Sequence, residues 1–170
     1  GVLKRCVVAT SKNVAQASPG ISVTDAATAA RQAAQLGKKV MSVRSAMDEA
    51  MKLYGEGKTV PAFKLVSQIA AARPRLAEAQ NLLGVILAGQ GKRAEAVKAI
   101  GRAARLAPKN AQYLSNLGEL ERQRGKTQEA GIALREAIYI NPNHPQALNN
   151  LGILHYDRKE FEEALACYSK

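Results

Sequence analysis

Apolar, small and turn-forming residues recur along this chain with a period of 34, and from Val43 onward no gap is needed to keep them in register. The copies begin at Val43, Ala77, Ala111 and Pro145. Large apolar residues stand at position 7 (Leu83, Leu117, Leu151) and position 24 (Val66, Ile100, Leu134, Tyr168). Small ones stand at position 8 (Ala50, Gly84, Gly118, Gly152) and position 20 (Ala62, Ala96, Ala130, Ala164), with Ile69, Ala103 and Ala137 at position 27. Position 15 is Gly57, Gly91, Gly125 and Lys159, and position 32 is Pro74, Pro108 and Pro142.

Each type has a physical reason. A residue with little or no side chain lets two helix backbones approach, and a large apolar residue fills the space beside the contact. Glycine allows the left-handed backbone of a tight turn. Proline cannot continue a helix interior and marks the exit to the next unit. The pattern therefore predicts a helix of about 14 residues, a turn and a second helix in every copy. Pro61 near the start of one second helix, and Glu160, Glu162 and Glu163 around the start of the last, suit helix N-termini.

Residues 1–42 lie outside the repeat. Gly1 to Gly20, with Ser11, Ser18 and Pro19, reads as irregular. Thr24 to Leu36 reads as an Ala-rich helix, capped by Ser22 or Thr24 and stopped by Gly37, which would cover the open end of the array. The expected organisation is a segment 1–42, then an array over 43–170: a degenerate copy at 43–76, copies at 77–110 and 111–144, and a truncated one at 145–170. The first copy is degenerate because Glu49 replaces the apolar residue at position 7 and Ala50 the glycine at position 8.

This pattern resembles the tetratricopeptide repeat, in the style of bacterial arrays, over residues 43–170. The resemblance implies an all-α, right-handed α-solenoid of helix-turn-helix repeats. It further implies that positions 2, 5, 6, 9, 12 and 13 of each first helix line a concave groove that holds a peptide or protein. Carried over residue by residue, that groove is Asn81, Gln112, Asn116, Glu119, Arg122, Gln146, Asn149, Asn150, Tyr156 and Asp157. Asn116 and Asn150 stand one period apart, and an amide both donates and accepts, so it can pair with the backbone of an extended peptide or with a neighbouring helix. The groove does not resemble the two-carboxylate clamp of chaperone-tail binders, which places Lys and Arg where Gln112, Asn116, Gln146 and Asn150 stand.

Composition agrees with close-packed helices: aromatics are 4% of the chain and tryptophan is absent. The net charge of +11 is uneven, with +6 over residues 1–44, +6 over 45–110 and −1 over 111–170. An acidic protein, an anionic membrane surface or a nucleic acid would each respond to that field. Nucleic acid is the least favoured of them, because the helices offer almost no aromatics for stacking. Lys98, Arg102, Arg105 and Lys109 form a basic stripe expected on the convex side. No apolar run approaches the ~20 residues that span a bilayer. Cys6 and Cys167 make no disulfide framework and fit a reducing compartment, so the cytoplasm is the expected location.

Catalytic chemistry finds no constellation. Gly57-Lys58-Thr59 looks like the end of a phosphate-binding loop, but Lys52 stands where the first glycine belongs and the context is helical. His144 and His155, the only histidines, have no second ligand at metal spacing and read as surface polar residues. The chain is therefore expected to be a binding scaffold, an adaptor or assembly factor, with no catalytic residue, metal or cofactor. The alternative is the substrate-presenting arm of a larger enzyme, a glycosyltransferase or sulfotransferase, which the run Asn149-Asn150-Leu151-Gly152-Ile153 resembles. The last helix carries Phe161, Ala164, Leu165, Cys167 and Tyr168 with no polar cap after them, so further repeats, a further domain or packing against a second molecule is expected there.

Overall fold

The computed structural model describes residues 7–8 and 40–170. The Ala-rich helix expected over Thr24–Leu36, and Cys6, lie outside the described residues. The chain divides into two compact units between Arg75 and Leu76.

The first unit holds a two-residue parallel pair, β1 (Val7–Val8) against β2 (Val40–Met41), and two helices, α1 (Val43–Gly55) and α2 (Thr59–Ala72). The repeat pattern did not show this pairing, because two residues are too few for an alternation to be read. Ala46, Met47 and Ala50 of α1 and Ala62, Leu65, Val66, Ile69 and Ala70 of α2 form the unit's apolar interior.

The second unit is three helical pairs: α3 (Ala77–Gly89) with α4 (Arg93–Leu106), α5 (Ala111–Gln123) with α6 (Thr127–Ile140), and α7 (Pro145–Asp157) with α8 (Phe161–Tyr168). The eight helices of the described residues keep the 34-residue register of the sequence. The architecture is an all-α solenoid of helix-turn-helix repeats.

The contact between the helices of a pair is made where the small residues stand. A methyl group added at Gly118 would lie 2.6 Å from Leu134 Cγ and 3.1 Å from the Ala130 carbonyl. At Gly84 it would collide with Ile100, and at Gly152 it would lie 2.5 Å from the Tyr168 ring. Positions 8, 20 and 24 thus interlock in every full pair. In the first copy the same positions hold Ala50 and Val66, so the methyl gained at one is matched by a smaller side chain at the other.

Turns repeat as closely. Gly57, Gly91 and Gly125 have φ of 74°, 77° and 75°, and Lys159 takes their place at 64°. In each turn the next N–H reaches back to the carbonyl five residues earlier: Lys58 to Leu53 at 2.8 Å, Lys92 to Leu87 at 2.9 Å, Lys126 to Glu121 at 2.8 Å and Glu160 to His155 at 3.0 Å. These bonds satisfy carbonyls that a helix end leaves open. Between copies, Arg73, Ala107 and Asn141 leave the helical region with φ near −130° (−131°, −134° and −134°), as a residue before proline must.

Candidate groove of the second unit

First helices α3, α5 and α7 present their polar positions to one another. Gln112 Nε2 donates to Asn116 Oδ1 at 2.9 Å and to Gln146 Oε1 at 2.6 Å. Gln146 Nε2 donates to Asn116 Oδ1 at 3.4 Å and to Glu119 Oε2 at 3.2 Å. Asn116 Nδ2 donates to Asn81 Oδ1 at 3.0 Å, and Gln123 Nε2 to Glu119 Oε1 at 3.2 Å. One hydrogen-bonded ladder therefore crosses three helices and joins five of the residues named from the sequence, Asn81, Gln112, Asn116, Glu119 and Gln146.

The other named residues stand beside it. Arg122 Nη1 lies 3.7 Å from Asp157 Oδ2 on the next first helix, which pairs two more. Tyr156 packs edge-on to Phe161 with ring centroids 5.6 Å apart. Asn149 is exposed and open to solvent. Asn150 is not: it is 4% exposed, and its Nδ2 has no hydrogen-bond partner. Asn150 is the repeat equivalent of Asn116, and Ser115 that of Asn81. The Ser115 hydroxyl, fully buried, is likewise unpartnered. Serine's polar atom stands one bond closer to the backbone than those of asparagine, and the rung seen between Asn116 and Asn81 is not repeated one copy later.

The histidines differ from their expected surface role. His144 is buried, and its Nδ1 accepts from Ala147 N–H at 3.3 Å, capping α7. His155 is bonded through Nδ1 to Glu160 Oε2 at 2.5 Å, across the turn before α8. Lys58, in the glycine-lysine-threonine run, is bonded to Glu56 at 2.7 Å; this contact lowers the Glu56 carboxyl and raises the Lys58 amine.

A further candidate for this face is Glu78. Glu78 occupies the repeat position of Gln112 and Gln146, and that equivalence was the signal available. Burial first, and then the Glu78 carboxylate, push the Tyr113 hydroxyl up. The basic stripe is exposed as expected: Lys98, Arg102 and Arg105 rim a depression of about 620 Å3 shared with Leu83, Leu117 and Glu121. Among the described residues no group of acidic, histidine and cysteine side chains is arranged to hold a metal ion, and no helix is long and apolar enough to cross a membrane.

Two models of the tetratricopeptide repeat match the chain, one over residues 81–145 and one over 146–169, together more than half of its length. The chain is a tetratricopeptide-repeat protein. As such it is a protein-interaction scaffold. No curated protein matches it. Among solved structures it is similar to MamA, at 20% identity and a TM-score of 0.68, over 75% of this chain and 74% of that one. It is similar to a mutant of the Thermobaculum terrenum O-GlcNAc transferase, at 22% identity and a TM-score of 0.64, over 66% of this chain and 22% of that one. A third is the Cut9–Hcn1 hetero-tetramer of the APC/C, at 20% identity and a TM-score of 0.70, over 75% of this chain and 24% of that one. At these identities the likeness is one of fold. This chain spans less than a quarter of the transferase and of the APC/C chain.

For this tetratricopeptide-repeat protein the ladder has a chemical consequence. Amides that bond to one another across repeats hold the first helices in register. They also leave donors and acceptors on the same face, available to a ligand.

Proposed function

We propose that the face built by α3, α5 and α7 holds an extended segment of a protein partner, and that the protein works as an adaptor or assembly factor. The observation that carries this reading is the ladder from Asn81 through Asn116, Gln112 and Gln146 to Glu119. Its spare donors and acceptors match a peptide backbone whatever the sequence. Arg122, Asp157, Asn149 and Tyr156 extend that face. A photo-crosslinking residue placed at Asn149 should capture the partner, whereas one at the exposed Ile132 should not. Equal capture at both positions, or at Ile132 alone, contradicts the reading.

An acidic partner is proposed for the separate basic stripe of Lys98, Arg102, Arg105 and Lys109. A second copy of the chain is proposed for α8, where Phe161, Leu165 and Tyr168 are 58%, 66% and 50% exposed. Light scattering across a concentration series reads that association, and a strict monomer at high concentration contradicts it. Presentation of substrate to an enzyme is the second functional reading, favoured by the match to a transferase segment.

A further inference from the structure

The ladder is directional. Glu119 carries a carboxylate, which only accepts, so the Gln146 side chain must turn its Nε2 toward it. Gln146 Oε1 then faces Gln112 Nε2, Gln112 faces Asn116 Oδ1 with the same nitrogen, and Asn116 is left with its Nδ2 toward Asn81. The count of hydrogens follows. Gln112 and Gln146 each spend both amide hydrogens within the ladder, and Asn116 Oδ1 accepts twice. What Gln112, Gln146 and Glu119 still offer a ligand is acceptor capacity alone.

Charge on the face points the same way. Among the described ion pairs none involves Glu119, and the nearest groove cation in sequence, Arg122, is turned to Asp157. Glu78 stands one copy earlier in the position of Gln112 and is exposed. Groove positions of the second unit therefore carry Glu78, Glu119 and Asp157 against Arg122, a net of −2 on a chain of +11.

We infer that the groove takes a cationic segment, with Glu119 receiving a lysine or arginine of an extended peptide. The inference rests on the groove reading above and names its partner's chemistry. A carboxylate held by two amide donors is already placed for a charge-assisted bond. The surrounding chain works against this preference, because its positive field draws anions. At physiological salt that field is screened over ~8 Å, while a direct contact is not. A preference for cations must then come from the groove itself.

The test uses three labelled peptides of alternating sequence, Ala-Lys, Ala-Gln and Ala-Glu, each about a dozen residues long. Each is titrated against the whole chain by fluorescence anisotropy at physiological ionic strength. The lysine peptide should bind roughly tenfold tighter than the glutamine peptide, the order expected for one charge-assisted bond. Glu119→Gln, whose amide oxygen can still accept from Gln146 while the bond from Gln123 is lost, should reduce that difference to about twofold or less. Circular dichroism confirms that the variant is folded, and Glu78→Gln, at an exposed site, gives a second reading. A tightest-binding glutamate peptide, or a lysine preference that survives Glu119→Gln, overturns the inference. If the three peptides bind equally and Gln112→Ala with Gln146→Ala weakens all of them, the groove reading stands and the charge inference falls. If none of the three binds, both fall.

Discussion

Gln146 on α7 donates from Nε2 to Glu119 Oε2 on α5 at 3.2 Å, and this one contact sets the orientation of the amides behind it. Asn116 lies at the centre of the resulting ladder. Replacing it with alanine removes the bond to Asn81 and leaves Gln112 and Gln146 each short of an acceptor. Because the site is only partly buried, water replaces part of what is lost. Asn116→Ala should cost about 1–2 kcal/mol of stability with helicity retained, read as a fall in the urea midpoint at constant slope.

Two glycines of the second unit should respond oppositely to alanine. Gly118→Ala places a methyl 2.6 Å from Leu134 Cγ and should destabilise by about 1–3 kcal/mol despite alanine's better helix propensity. Gly89→Ala, in the last turn of α3, meets nothing within 4 Å and should stabilise by about 0.5–1 kcal/mol. Opposite signs in paired thermal melts are the expected outcome; the same sign in both would contradict the packing described.

Lys159 is the described non-glycine residue with a left-handed backbone, at φ 64°, where three equivalent turns use glycine. Lys159→Gly removes that strain but adds freedom to the unfolded chain, so the net gain should be about 0.5–1 kcal/mol. Differential scanning calorimetry reads it as a rise in Tm.

Burial of Cys167 raises its thiol pKa, partly offset by Lys170. The folded state therefore binds this proton more tightly than the unfolded state does. The associated stability is fully present below the unfolded thiol's pKa and is lost as pH rises through the folded one. In a Cys6→Ser background, alkylation of Cys167 near pH 8 should be slower than in denaturant, since only the thiolate reacts. Equal rates would contradict the burial.

Much of this was legible in the sequence because a repeat multiplies its own signal. Gly84, Gly118 and Gly152 mark the close helix contact, and Pro74, Pro108 and Pro142 the exits. The polar face was legible by position only. That Asn116 bonds to Asn81 while the Asn150 amide nitrogen is buried without a partner depends on Ser115 being shorter than asparagine, a difference that repeat equivalence hides. Likewise, His144 as a buried cap depends on where the loop before α7 turns, and the pairing of β1 with β2 joins residues more than thirty positions apart by two-residue strands. Periodicity reports which residues share a face, not which of them reach each other.

The groove and the basic stripe are two of the surfaces proposed to hold a partner, and they are separable by mutation. The direct measurement is the affinity of the captured partner for two variants, Gln112→Ala with Gln146→Ala in the ladder, and Arg102→Ala with Arg105→Ala on α4. A groove-bound partner loses roughly tenfold or more in affinity with the first variant, the equivalent of one or two net hydrogen bonds, and changes by about twofold or less with the second at physiological salt. A partner released by the α4 variant and indifferent to the ladder variant would contradict the account.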